Sequence, residues 1–274
     1  MSLQLILGGS GSGKSHWLYS SVIQEAMEHP RERYAVIVPE QFTMETQREL
    51  VKLNPAGGIL NIDVLSFQRL AYRVFEETGT DQADVLTETG KSLMLRLVAS
   101  RKGEELGIMG KRLNQPGYLS QVKSMLSELT QYEISGDELE EMIAIAAKKP
   151  QLQYKLRDLR VLWQGFQEYR QNRFITAEEL LGVFCQAAPD SRMLKSTSLI
   201  FDGFTDFTPV QERALKTLMT LSPRIRVSVT LGDGERMEGR LQEHELFYLS
   251  KKTIRGLLDL AQETGTQVLE PVVL

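Results

Sequence analysis

The sequence predicts an α/β protein: a parallel sheet with crossover helices, interrupted by an inserted all-helical subdomain. Two observations carry that prediction. Short apolar, β-branched runs occur at residues 3–7 (LQLIL), 34–38 (YAVIV), 60–65 (LNIDVL), 198–201 (SLIF), 225–231 (IRVSVTL) and 267–273 (QVLEPVV). Most are separated by helical patterns, and strands joined through helices pair in parallel. Between residues 66 and 197, by contrast, the periodicity is helical throughout and no strand is expected.

Within that gap, residues 118–132 place Tyr118, Val122, Met125, Leu126, Leu129 and Tyr132 on one helical face. Residues 152–169 do the same with Leu152, Leu156, Leu159, Trp163, Phe166 and Tyr169. Ser135…Glu138, Thr176…Glu179 and Thr208-Pro209…Gln211 have the spacing of capping boxes that open helices. Residues 1–75 and 195–274 are therefore assigned to the sheet domain and 76–194 to the insertion. There is no internal repeat and no low-complexity linker.

With 274 residues the chain has room for one large domain or two modest ones, and 42% hydrophobic with 25% charged residues is ordinary for a globular protein. A net charge of −4 argues against a general nucleic-acid coat, although a local basic groove remains compatible with it. One cysteine, Cys185, excludes a disulfide framework or a cysteine cage, and its apolar neighbours from Leu180 to Phe184 suggest an inert core thiol. His16, His29 and His244 are scattered, so no zinc site is expected. The N-terminus lacks a basic region and meets glycines within eight residues, so it reads as a strand rather than a signal peptide. No apolar stretch approaches the length of a membrane span, and a cytoplasmic location is expected.

The chemistry concentrates just after the first strand. Gly8-Gly9-Ser10-Gly11-Ser12-Gly13-Lys14-Ser15 matches G-x-x-x-x-G-K-[ST] at every fixed position. In such a P-loop the glycines let successive backbone N–H groups converge on phosphate oxygens. Lys14 would reach the β- and γ-phosphates, Ser15 would ligate Mg²⁺, and the helix that follows would point its positive end at the anion. ATP with Mg²⁺ is the expected ligand.

A second carboxylate is expected at the end of another strand. Leu199-Ile200-Phe201-Asp202 supplies one, although Asp202-Gly203 is also a good turn pair. Gly203 follows, where many ATPases carry a glutamate that activates water. The later segment Leu231-Gly232-Asp233-Gly234-Glu235 contains no glutamine. Triphosphate binding is thus better supported than rapid hydrolysis, and no catalytic residue is assigned.

Four segments in order, the P-loop, Val38-Pro39-Glu40-Gln41-Phe42-Thr43, Leu65-Ser66-Phe67-Gln68-Arg69-Leu70-Ala71 and Phe201-Asp202-Gly203-Phe204-Thr205-Asp206-Phe207-Thr208-Pro209-Val210-Gln211, resemble the B subunit of bacterial AddAB-type ATP-dependent helicase/nucleases. More broadly the chain is similar to the first motor domain of superfamily 1 helicases, which implies a RecA-like P-loop NTPase fold. Asp202, Asp206 and Gln211 match the family's D-E-x-Q-D pattern and its later glutamine, while Gly203 and Thr205 depart from it. Gln211 is equally the third residue of a capping box begun by Thr208.

The resemblance implies an N-terminal fragment of a longer subunit, without the second motor domain and without the nuclease domain and its iron–sulfur cluster. It also implies a partner, the A subunit, and a surface that scans single-stranded DNA for the Chi recombination signal. By that resemblance Gln41, Thr43, Phe67, Arg69, Tyr72 and Phe204 are carried over as DNA-binding residues at the carboxyl ends of the strands. Read without it, Thr43 and Ser66 are helix caps and Phe67 and Tyr72 core residues. Lys148, Lys149, Lys155, Arg157, Arg160, Arg170 and Arg173, against Asp158 and Glu168, form a second basic stretch that can either track a phosphate backbone or simply be solvated. The competing functions are a small-molecule kinase or phosphotransferase, for which no arginine-rich lid is found, and a structural subunit with a vestigial nucleotide site.

Overall fold

The computed structural model describes residues 1–274 except 56, 59, 60, 81–83, 108, 114, 171–173, 233 and 236–241. The chain divides into two compact units, Met1–Thr80 with Leu181–Leu274, and Asp81–Leu180.

The first unit opens with β1 (Ser2–Gly8), α1 (Lys14–Glu28), β2 (Arg33–Ile37), α2 (Thr43–Leu53), β3 (Ile62–Leu65) and α3 (Phe67–Thr78). It resumes with α8 (Leu180–Ala187), α9 (Arg192–Lys195), β6 (Thr197–Phe201), α10 (Pro209–Met219), β7 (Arg224–Thr230), α11 (Tyr248–Thr264), β8 (Gln267–Val268) and β9 (Val272–Val273). The strands form one sheet in the order β3-β2-β6-β7-β1-β8, with β9 also pairing with β1. Every described pair is parallel. This is an α/β fold of the RecA-like type. Such strands are covered on both faces, and β6 is buried at all five positions.

Each long strand begins close to where its apolar run does. Leu60, the first residue of the run at 60–65, lies outside the described residues, and β3 starts at Ile62. The run at 267–273 is not one strand but two. Glu270 and Pro271 leave the ladder because proline has no N–H to donate. The Glu270 carbonyl is met instead by the Gln4 side chain at 3.2 Å, and β8 and β9 pair with opposite ends of β1.

The parallel register sends the carboxyl ends of β1, β7, β6, β2 and β3 to one edge of the sheet. Phe201 lies opposite Val227 and Ile37, and Ile37 opposite Leu65. Helix α1 is held beneath that edge by Leu18, Tyr19, Val22, Ile23 and Ala26, whose 3–4 spacing buries one stripe against Ile6, Tyr34, Val36 and Ile200. Each such aliphatic side chain contributes about 1.5–3 kcal/mol by burial. Helix α3 is capped by Ser66, which accepts from the Arg69 N–H. At its far end Glu77 accepts from Ser191 Oγ (2.5 Å) and from the backbone N–H groups of Arg192 (3.0 Å) and Met193 (2.9 Å). That contact ties α3 to the start of α9, and residues 181–194, expected in the insertion, fall in the first compact unit.

The second unit contains β4 (Asp84–Val85), α4 (Glu88–Arg101), α5 (Pro116–Gln131), α6 (Gly136–Ile145), α7 (Pro150–Arg170) and β5 (Phe174–Ile175). Its core joins Leu95, Val98, Val122, Leu126, Leu159 and Phe166. The α5 face is narrower than its sequence suggests, since Met125 is 37% and Tyr132 53% exposed. Leu152, at the start of α7, is exposed as well. The expectation of no strand in this region is corrected by β4 and β5, which pair in parallel. Two-residue strands are too short for a period of two to register. The Ser135 capping box opens α6 with both reciprocal bonds.

Among the described residues no helix is long and apolar enough to cross a membrane.

Candidate nucleotide and nucleic-acid site

The P-loop turns between β1 and α1. Gly11 (φ +80°) and Gly13 (φ +93°) take left-handed backbone conformations that a side chain would strain. No side chain caps the start of α1 and its first turn holds no acid, which leaves the positive end of the helix facing the loop. Lys14 folds back over the loop, its Nζ donating to the carbonyls of Gly8 (3.0 Å) and Gly9 (2.7 Å). Burial holds the Lys14 ammonium below the usual lysine range, while the Asp202 charge pulls it back upward.

That electrostatic coupling reflects the sheet order. Asp202 follows β6 and the P-loop follows β1, with β7 between them, so both stand at the same edge. Register brings Ser228 of β7 beside Asp202, one step past the Phe201–Val227 pair. The Asp202 carboxylate is 5% exposed. Its Oδ1 accepts from Ser228 Oγ and its Oδ2 from the Tyr19 hydroxyl at 2.6 Å. The Tyr19 oxygen in turn lies 3.5 Å from Thr46 Oγ1. Burial, then the Asp202 charge, push the Tyr19 phenol well above its ordinary range, so it remains a donor.

Beside the loop opens a cleft of about 460 Å³, bounded by Gly13, Lys14, Ser15 and His16 on one side and by Glu49 and Lys52 of α2 on the other. Its size falls within the range of small-molecule sites. The sequence pattern does not single out Tyr19, Thr46, Glu49, Lys52 or Ser228. Only Tyr19 left a signal: it sits four residues after Ser15, on the inner face of α1, and a buried tyrosine hydroxyl needs a partner. Among the described residues no three His, Cys, Asp or Glu side chains converge into a metal cage.

The six rim residues occupy one region but differ in what they expose. Gln41 and Arg69 are exposed, and Arg69 is ion-paired with Glu40 at 3.0 Å. Thr43 is buried and donates to the Glu40 carbonyl at 2.9 Å, a local turn contact. Phe67 is 7% exposed, inside a cluster with Phe201, Phe204 and Phe207. Phe204 is half-buried and stacks on Phe207 at 5.0 Å. Tyr72, half-buried, packs edge-on against Phe75. Exposed Phe42 stands next to Gln41, an aromatic face that sequence alone did not single out.

Gly203 has φ +79°, so the backbone itself favours glycine where the helicase pattern has glutamate. Gln211 accepts from the Thr208 N–H at 3.0 Å, as the capping reading requires. Asp206 is engaged by Phe207 N–H and Thr253 Oγ. Asp233 lies outside the described residues. A Cβ on neighbouring Gly232 would come within 2.5 Å of the Phe247 ring, which fills that flank. Cys185 is half-buried and unpaired by disulfide.

On the helical unit, Asp158 is buried and accepts from the N–H groups of Gly107 (2.9 Å) and Met109 (2.7 Å). It therefore does not offset the surface cations. Arg160 is paired with Glu140. Lys148, Lys149, Lys155 and Arg157 are exposed, while Arg173 and the Arg170 side chain lie outside the described set.

Fold and site together define a RecA-like α/β domain with a glycine-rich turn after its first strand, in a chain of two compact units. Residues 5–274 match the family model described as ADDB, N-terminal, and the chain belongs to that family. It is 41% identical over 273 residues to the B subunit of an ATP-dependent helicase/deoxyribonuclease of Lachnoclostridium phytofermentans, covering 100% of this chain and 24% of the relative. Proteins of the same name are 31% identical over 278 residues in Desulforudis audaxviator, covering 100% of this chain and 24% of that relative, and 30% identical over 271 residues in Listeria monocytogenes, covering 98% and 23%. The chain thus spans about a quarter of the length of the relatives it matches.

Proposed function

We propose that this chain is the part of a helicase/deoxyribonuclease B subunit that binds ATP with Mg²⁺ and single-stranded DNA, acting in recombinational double-strand break repair beside an A subunit that supplies the active motor. The observation that carries the nucleotide reading is the shared edge. Lys14, the uncapped start of α1 and the Asp202 carboxylate all face the end of one sheet, within electrostatic reach of each other. A hard divalent cation suits this donor set. Ser15 offers a hydroxyl, and each Asp202 oxygen, holding one hydrogen bond, keeps a further lone pair. Such an ion, when bound, would neutralise phosphate charge.

Hydrolysis is expected to be slow. Gly203 has no side chain to orient water, and its left-handed backbone disfavours a glutamate in its place. The DNA reading rests on exposed Gln41 and Arg69 beside the half-buried Phe204, an amide, a cation and a ring on one rim. On the helical unit, exposed Lys148, Lys149, Lys155 and Arg157 offer further, salt-sensitive phosphate contacts.

Calorimetric titration with ATP–Mg²⁺ tests the first half: Lys14→Ala should weaken binding at least tenfold, and equal affinities would mark the P-loop as vestigial. Fluorescence titration with a single-stranded oligonucleotide tests the second. Gln41→Ala and Arg69→Ala should each cost about 1 kcal/mol or more, and two neutral results would remove the rim assignment.

A further inference from the structure

A magnesium nucleotide can be held by more than one carboxylate, and each Asp202 oxygen has one lone pair left after its hydroxyl partner. Asp202 is buried, and both of its oxygens already hold hydroxyls from Tyr19 and Ser228. The next residue is Gly203. Across the same cleft from Lys14 and Ser15 stands Glu49, exposed on α2. It takes part in no hydrogen bond or ion pair among the described residues.

Its position is not an accident of a loose helix. Thr43, Thr46 and Leu50 bury the inner face of α2. Glu49 comes one turn after Thr46, whose hydroxyl lies 3.5 Å from that of Tyr19, so the helix fixes its backbone at the cleft wall. A free carboxylate there is unfavourable for a naked polyphosphate, because like charges repel. It becomes favourable only when a cation lies between the two. Lys52, a turn further on, lines the same wall but forms no ion pair with Glu49.

We propose that Glu49 is a carboxylate through which this cleft recognises the divalent cation of a nucleoside triphosphate, directly or through a water it holds, with Asp202 in support. The inference rests on the P-loop reading above and adds a residue from α2 to it. It makes a signed prediction, because removing the charge should help one form of the ligand and harm the other.

The test is ATP binding by calorimetry in saturating Mg²⁺ and in EDTA, for the wild type, Glu49→Gln and Lys14→Ala. Glu49→Gln should lose roughly tenfold of the magnesium-dependent gain, the lower end for residues that steady a metal, while binding metal-free ATP as well as the wild type or better. Electron paramagnetic resonance of Mn²⁺–ATP should show the same variant releasing more free Mn²⁺. If the gain is unchanged while Lys14→Ala abolishes binding, the Glu49 role is overturned and the P-loop reading stands. A parallel loss with and without metal would also overturn it, since that marks a structural effect. A wild type that binds no ATP in either buffer overturns both.

Discussion

Replacing Tyr19 by phenylalanine isolates the bond that fixes Asp202. The ring remains, so the packing of α1 against Val36 and Ile200 is kept and only an oxygen atom is lost. That oxygen donates to a buried carboxylate at 2.6 Å. Hydrogen bonds to charged groups are worth about 1.5–3 kcal/mol net, and the short distance and burial favour the upper half. The Thr46 contact, at 3.5 Å, is at the limit of a hydrogen bond and adds little. The expected loss is therefore about 2 kcal/mol. With an m-value of about 2 kcal/mol/M, the urea midpoint should fall by about 1 M. Because the chain has two compact units, the transition should be followed by a probe in the sheet unit, such as Trp17 fluorescence. The same substitution in an Asp202→Asn background supplies the control. If the hydroxyl acts through the carboxylate charge, its loss there should shrink below about 1 kcal/mol. A wild-type loss under about 0.5 kcal/mol, or an equal loss in both backgrounds, would refute the reasoning.

Two further outcomes follow from the same geometry. Burial raises the Glu77 carboxyl pKa, but its bonds from Ser191, Met193 and Arg192 outweigh that and hold it below the usual glutamate range. A depressed folded pKa contributes stability above the unfolded value that disappears as pH falls through the folded one. Glu77→Gln should therefore cost a few tenths to about 1 kcal/mol near neutrality, the helix-cap scale reduced by solvent screening, and flatten the stability profile below about pH 5 in parallel denaturation series. Gly203→Ala should cost about 1–2 kcal/mol, since the left-handed backbone, not crowding, is the obstacle. The added Cβ would sit 3.5 Å from Pro39 Cδ, an ordinary contact. A neutral result in urea denaturation would show that the turn relaxes.

Much of this architecture was legible in the residues alone. Strand identity came from β-branched runs, and parallel pairing from the helices between them, because local propensity and crossover length both act over short stretches of chain. The glycine-rich turn after β1 was equally plain, since its glycines and Lys14 lie within eight consecutive positions. Asp202 was located as the end of an apolar strand, and the Thr208–Gln211 cap by its spacing. What failed was contextual. The pairing of Asp84–Val85 with Phe174–Ile175 joins segments too short to announce themselves, and the division of 267–273 depends on which backbone atoms β1 leaves free. Met125 and Tyr132 of α5 are exposed: helical periodicity gives the direction of a stripe and not the width of what covers it.

The site shows the same division most clearly. Sequence determined that a glycine-rich turn ending in Lys14 follows the first strand and that a carboxylate ends another, for both follow from neighbouring residues. Only the folded chain decided what surrounds that carboxylate. Tyr19 of α1 and Ser228 of β7 hold it, Thr46 of α2 stands behind Tyr19, and their meeting depends on strand order and register. Those are set by burial summed over the whole sheet, a property that no short stretch of the sequence contains.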